Sequence, residues 1–459
     1  MTPQSQDSAP ALATLTACPV CLRVLEGEPK ALFWFVHEQY AEPVVLRRLD
    51  AALGFCARHT ARLVQAAAPP VVASVSSFLL HGLDGRLQQL RRRLAGRRFQ
   101  PAALGRALQR GPCPLCQQEE HEVRWAAQPW YWTGGRAPAG DGGPEHLCGT
   151  YLAMATRHLP PPHRPRLVAR WVQQVAGTSD RDPLRGLARL VSVAAGSAVL
   201  AEQAPAGPAD PQEGSSLQCL SLWLRRPGCL LCRVDEQAWQ GYLGYLAREL
   251  GAFRQDLWAD VEWLCPLHLW GLALALPQRA RLAVAEHLRR HRLGWMQRRP
   301  PKARWGRGGP EEGSWPVRPC PACGRACGAV QRWARLLAVA LDHPTVALAY
   351  QEGQGVCVQH LAVLMHHTAA PEQAATVLDT MAVQARVLAW ELEEFLRKRA
   401  WDARHEPPGP EATAPARAVR HYSGLAAWPG PSQQAGVGAG PLQAAGGSLP
   451  SAMLAEAGP

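Results

Sequence analysis

The chain has 459 residues and a formal charge of +12, from 49 basic and 37 acidic side chains. That length exceeds what one hydrophobic core serves and predicts two to four domains. The first ten residues lack a basic start followed by an apolar run, and the longest weakly polar stretch, 190–201, is too short to span a bilayer, so neither a secretory signal nor a membrane partner is expected. A soluble cytoplasmic protein follows, in a compartment where reduced thiols favour metal sites over disulfides.

After an N-terminal extension, 1–17, a first unit over 18–100 opens with Cys18 and Cys21 and is answered by Cys56 and His59. Between them, 31–40 is aromatic and apolar, Pro43 suits the first turn of a helix, and Gly54 breaks that helix before Cys56. A second unit, 113–200, has Cys113 and Cys116 answered by Cys148, with Tyr151 where the other units have histidine and a glycine-rich insertion over 134–144. A Pro/Gly/Ala-rich linker, 201–216, leads to a third unit, 217–299, where Cys229 and Cys232 are answered by Cys265 and His268. It lacks the mid-unit proline, so its middle is expected to be built differently. A basic linker, 300–316, precedes a fourth unit, 317–402, with Cys320 and Cys323 answered by Cys357 and His360, and with Pro344 and Gly355 repeating the punctuation of the first. Val377, Met381, Leu388, Leu392 and Phe395 then recur at helical spacing, a core stripe with Glu391, Glu394 and Arg397 expected on its other side. The tail, 403–459, is poor in large apolar residues and reads as disordered. With no run of alternating β-branched residues, the expected fold is mostly α, a tandem repeat of small helical units.

Twelve of the 14 cysteines obey this one rule. Three thiolates and an imidazole complete the closed tetrahedral shell of a structural zinc site, whereas iron–sulfur clusters normally take four cysteines. Each C-x-x-C is expected to share an ion with the C-x-x-H that follows it in its own unit. This gives three zinc sites, and a fourth if the second unit finds another ligand. In units of roughly 80 to 90 residues, with thin cores, an ion contributing on the order of 10 kcal/mol decides folding. Three such sites, each summing to −1, lower the charge to +9, and a fourth to +8. The basic excess is almost wholly arginine, since only Lys30, Lys302 and Lys398 are lysines, and codon bias in a GC-rich genome suffices to explain it.

The first unit resembles a family of bacterial helical proteins known only as a domain of unknown function. The resemblance lies in C-P-V-C at Cys18 to Cys21, in FWFVHEQYAEPVV, and in G-F-C-A-R-H at Gly54 to His59. It implies helices and zinc, and carries no activity over to this chain.

The reading that follows is a non-enzymatic zinc-binding repeat protein, a binding or scaffold module for a protein partner, with its oligomeric state left open. Seventeen tryptophans either fill thin cores or anchor that partner. One alternative is a thiol-based redox sensor that releases zinc on oxidation, with Cys219 and Cys327 as spare thiols. Another is nucleic-acid or polyanion binding through Arg289, Arg290, Arg292, Arg298, Arg299, Lys302, Arg304 and Arg307, interleaved with Trp295 and Trp305. Arg91, Arg92, Arg93, Arg97 and Arg98 form a shorter cluster after the first unit, and a solvated helix end accounts for both. Catalysis has the least support. An open position in the second unit, with His121 or His146 as base and Glu119, Glu120 and Glu122 nearby, competes with simple decay of a redundant repeat. His287 and His291, one helical turn apart, pair like metal ligands, but the arginines around them disfavour a cation.

Overall fold

Proline and glycine set the helix boundaries. Pro43, Pro101, Pro114, Pro266, Pro321, Pro344 and Pro371 each occupy the first position of a helix, where the missing N–H costs nothing. Gly54 and Gly355, at φ 82° and 61°, turn the chain just before Cys56 and Cys357. The computed structural model describes residues 19–96, 100–126, 217–251, 257–297, 320–403 and 405–424. Among these the chain is helical, with no strand.

Unit one contributes α1 (Pro19–Trp34), a π-turn (Phe35–Gln39), α2 (Pro43–Ala51), α3 (Ala57–Ala66) and α4 (Pro69–Gly96). Next come α5 (Pro101–Ala107) and α6 (Pro114–Ala126), the described part of unit two. Unit three holds α7 (Leu217–Arg225), α8 (Leu230–Gly251), α9 (Trp258–Glu262), α10 (Pro266–Ala275) and α11 (Gln278–Gln297). Unit four holds α12 (Pro321–Ala340), α13 (Pro344–Glu352), α14 (Val358–His367) and α15 (Pro371–Arg397). Where units one and four have the nine-residue helices α2 and α13, unit three has the five-residue α9, the difference its missing proline foretold.

The largest interface joins the long helices α4 and α15, from opposite ends of the chain. Leu80, Leu83 and Leu87 on α4 and Val377, Met381, Leu388, Leu392 and Phe395 on α15 are buried in one core. The predicted stripe is therefore core, each large side chain contributing about 1.5–3 kcal/mol of burial. Glu391 departs from the expected polar face, since it is buried and pairs with Arg417. That arginine belongs to α16 (Ala414–Ser423), which follows a 3₁₀ turn (Pro410–Thr413). The start of the region read as a disordered tail is thus helical. Ala414, Ala418 and Val419 bury their side chains, and Tyr422 donates to the carbonyl of Leu79 at 3.2 Å. Its small residues hid this role, because alanine packs closely without signalling hydrophobicity.

Units three and four interlock through α8 on α12 and α7 against α13, while α10 packs on α8 within unit three. Trp223 and Trp333 stack at 5.4 Å, whereas Trp390 and Trp401 are exposed.

Candidate metal centres

Each described ligand pair sits at a helix N-terminus. Cys56, Cys265, Cys320 and Cys357 are N-caps, and Cys113 and Cys229 directly precede α6 and α8. The second ligand lies three residues on, in the first turn. Hydrogen bonds from the fourth following N–H to each cysteine carbonyl close that turn, for example Leu361 N to Cys357 O at 3.0 Å. This geometry aims both ligands off the helix end, where the positive pole of the helix dipole favours thiolate.

Two such ends converge on each centre, and the pairing differs from expectation. Centre I joins Cys56 and His59 of unit one to Cys113 and Cys116 of unit two. Centre II joins Cys265 and His268 of unit three to Cys320 and Cys323 of unit four, and centre III joins Cys229 and Cys232 of unit three to Cys357 and His360 of unit four. Each could hold a metal ion, and none is internal to a unit. The rule linking each C-x-x-C to the next C-x-x-H fails because neighbouring units dock first-turn to first-turn. Cys18 and Cys148 lie outside the described residues, as do Tyr151, His146 and the side chains of Cys21 and Cys219.

The distances fit a four-coordinate ion. A tetrahedron with metal–sulfur bonds of about 2.3 Å and metal–nitrogen bonds of about 2.0 Å has edges of about 3.8 Å between sulfurs and about 3.5 Å from sulfur to nitrogen. The sulfur–sulfur separations are 3.8 Å for Cys56–Cys116, 3.9 Å for Cys265–Cys323 and 3.6 Å for Cys232–Cys357. The sulfur-to-Nδ1 distances run from 3.2 to 3.4 Å on His59, 3.2 to 3.4 Å on His268 and 3.2 to 3.6 Å on His360. A disulfide would need about 2.05 Å.

The thiols press on one another. In centre I, hydrogen bonds from Cys116 and Cys56 pull Cys113 far down, while Cys113 and Cys56 push Cys116 far up. Centre II repeats this, with Cys320 held down to about 3 chiefly by Cys265, and Cys265 raised in return. Burial opposes charge on His59 and His360, yet the thiolates of Cys113 and Cys56, and of Cys229 and Cys357, raise them to about 11. Three thiolates this close ionise together only around a cation, so the donor set suits a divalent ion.

The surroundings differ. In centre I the second nitrogen of His59 donates to Glu119 at 3.2 Å, with Glu28 at 3.7 Å and Arg58 paired to Glu119. Glu119, which the sequence places near the Cys113–Cys116 pair, braces His59 of the first unit. His121 is exposed on α6. Centre III is covered on one side, with Cys232 and His360 half-buried. Cys357 is 0% and Cys229 3% exposed, and Gly424, at φ 71°, places its Cα so that a Cβ would lie 2.5 Å from Cys232 Sγ and 3.0 Å from Cys357 Sγ. The tail thus covers this centre, helped by Gln359 donating to Ser423 O at 2.8 Å. Centre II is the open one: Cys323 is exposed, and so is Cys327 one turn further along α12.

Of the basic segment, Arg289 and Arg290 are both bonded to Glu286, at 2.9 Å and 2.6 Å. The side chain of Arg292, and Arg298, Arg299, Lys302, Arg304 and Arg307, lie outside the described residues, as do Arg97 and Arg98. Arg91 is tied to Asp379 of α15 at 3.0 Å. No described helix is long and apolar enough to cross a membrane.

No protein-family model, no curated protein and no solved structure matches this chain.

Proposed function

We propose that the protein is a non-enzymatic zinc-stapled helical scaffold, in which each ion locks two units together, and that it presents the fixed assembly to a protein partner in the cytoplasm. The observation that carries this reading is the division of ligands. Every described centre takes two from one unit and two from another, so the ion sets the relation between units as well as the fold of each. Zinc is favoured over other ions by the Cys₃His set and by edges that match its bond lengths. Trp390 and Trp401, 64% and 77% exposed, supply the aromatic surface a partner would use.

Elemental mass spectrometry on protein purified without chelator or added metal tests this. Three zinc ions per chain are expected from the described centres, and a fourth if Cys18, Cys21 and Cys148 also hold one. Near-zero metal with free thiols overturns the reading. A redox-sensing role is favoured at one place only, centre II, because Cys323 is exposed there with Cys327 beside it.

A further inference from the structure

The long helices α4 and α15 lie antiparallel, since His81, Asp84 and Arg91 on the first face Glu393, Arg386 and Asp379 on the second. Beside their shared core runs an open groove of about 400 Å³. Leu87, Leu378 and Ala382, all buried, form its floor, and the more exposed Arg91, Arg92 and Arg386 form its rim. Asp379 is the one acidic residue lining it, and Arg91 already holds both its carboxylate oxygens, at 3.0 and 3.1 Å. Arg386 reaches Asp84 only at 3.6 Å, outside hydrogen-bond range, and Arg92 is exposed with no ion pair among the described residues. Even with Asp84 counted, the groove keeps a surplus of positive charge.

From the edge of the groove an apolar row continues along α15. Val383, Val387 and Trp390, at i, i+4 and i+7, are 50%, 49% and 64% exposed. Residues at that spacing share one side of a helix, the pattern by which helices meet other helices. The core face of α15 is a different one, made by Val377, Met381, Leu388 and Leu392. This helix therefore carries two apolar stripes, one covered and one facing solvent, with the basic groove alongside the second. The aliphatic floor offers no ring on which a base could stack, so a nucleic acid would meet only charge there.

We propose, building on the protein-partner reading above, that the groove and the outer stripe of α15 dock an acidic amphipathic helix of the partner. The apolar side of that helix covers Leu378, Val383 and Val387, Trp390 is the aromatic anchor, and carboxylates on its flank meet Arg92 and Arg386.

The test uses full-length protein whose zinc content has first been measured. The probe is a fluorescein-labelled synthetic helix with leucines on one face and glutamates on its flanks, followed by fluorescence anisotropy. A copy with lysines in place of the glutamates and a single-stranded DNA oligonucleotide of matching charge serve as comparisons. The acidic peptide is expected to bind, with affinity that falls as salt rises, and both comparisons to bind more weakly. Arg92→Glu, which breaks no internal pair, should weaken the acidic peptide by about 3–10-fold. Trp390→Ala should weaken it by about 10-fold or more. Both variants should keep the zinc content and helical circular dichroism of the wild type. No binding, equal binding of the two peptides, tighter binding of the oligonucleotide, or unchanged affinity in both variants overturns the docking site. Three zinc ions with no peptide binding would remove the docking site and leave the scaffold standing, whereas near-zero zinc would remove the scaffold however the peptide behaved.

Discussion

Replacing Cys113 and Cys116 together by serine tests the cross-unit pairing most directly. Centre I would keep only Cys56 and His59, two ligands where a structural ion takes four, and the chain should bind one ion fewer. The loss is on the order of 10 kcal/mol of apparent binding energy, comparable with the whole stability of a typical domain, about 5–15 kcal/mol. The junction between α3 and α6 should therefore open. The α4–α15 core should persist, since no ligand lies on either helix. The assay is alkylation with iodoacetamide followed by peptide mass spectrometry, read at Cys56. In the wild type Cys56 is half-buried and held in centre I, so it should react slowly. In the double variant it should react at the rate of an open thiol. Replacing Cys18 and Cys21 should leave Cys56 protected, because those residues do not supply its partners. The opposite pattern, with Cys56 protected in the first variant and exposed in the second, would refute the pairing.

Three more outcomes are expected. Gly424→Ala sets a methyl group 2.5 Å from Cys232 Sγ at a left-handed backbone position, so it should lower stability by about 2–4 kcal/mol in thermal or denaturant melts. Gly228→Ala, at φ 95° with open space around it, should cost only the backbone strain of about 1–2 kcal/mol, and equal effects at the two glycines would contradict packing of the tail on centre III. Glu119→Gln weakens the acceptor that orients His59, so chelator competition should show centre I losing about 10–100-fold in affinity with centres II and III unchanged. Under limiting peroxide, centre II should release its ion first. The Cys323 thiolate attacks the peroxide to give a sulfenic acid and hydroxide, and the Cys265 thiolate, 3.9 Å away, displaces a second hydroxide to form the disulfide. Mass spectrometry that found Cys229 or Cys357 oxidised earlier would show that burial does not set the order.

How far the sequence reached depended on the range of each signal. Which side chains gather into candidate centres was legible, because i, i+3 spacing is local and is satisfied within the first turn of α3, α6, α8, α10, α12 and α14. Pro43, Pro344, Gly54 and Gly355 were likewise read correctly, since a fixed φ or a left-handed turn acts on its own neighbours. Pairing was not legible. A C-x-x-C end presents the same two sulfurs to any C-x-x-H end, and the choice rests on which helices pack, as α8 does on α12, across intervals that no local pattern spans. Glu391 and the tail failed for a related reason: the partner that makes Glu391 buried is Arg417, and the residues that make α16 a core element are alanines whose value lies in close approach.

The reciprocal exchange between units three and four gives the sharpest mechanical consequence. Each lends its C-x-x-C to one centre and its C-x-x-H to the other, so ions bound at both would close a ring through α8, α10, α12 and α14. Removing either ion would open that ring but leave the two units joined through the other. Separation requires loss of both, and the two are unequally accessible: Cys323 faces solvent, while centre III lies beneath Gly424 and α16. Loosening should therefore proceed in order, centre II first, with the units still tethered at centre III until the tail undocks. The covering of Cys232 and Cys357 by α16 thus bears on assembly as much as on stability, since that helix also packs on α3, α4 and α15 and so links the last centre to open with the core shared by units one and four.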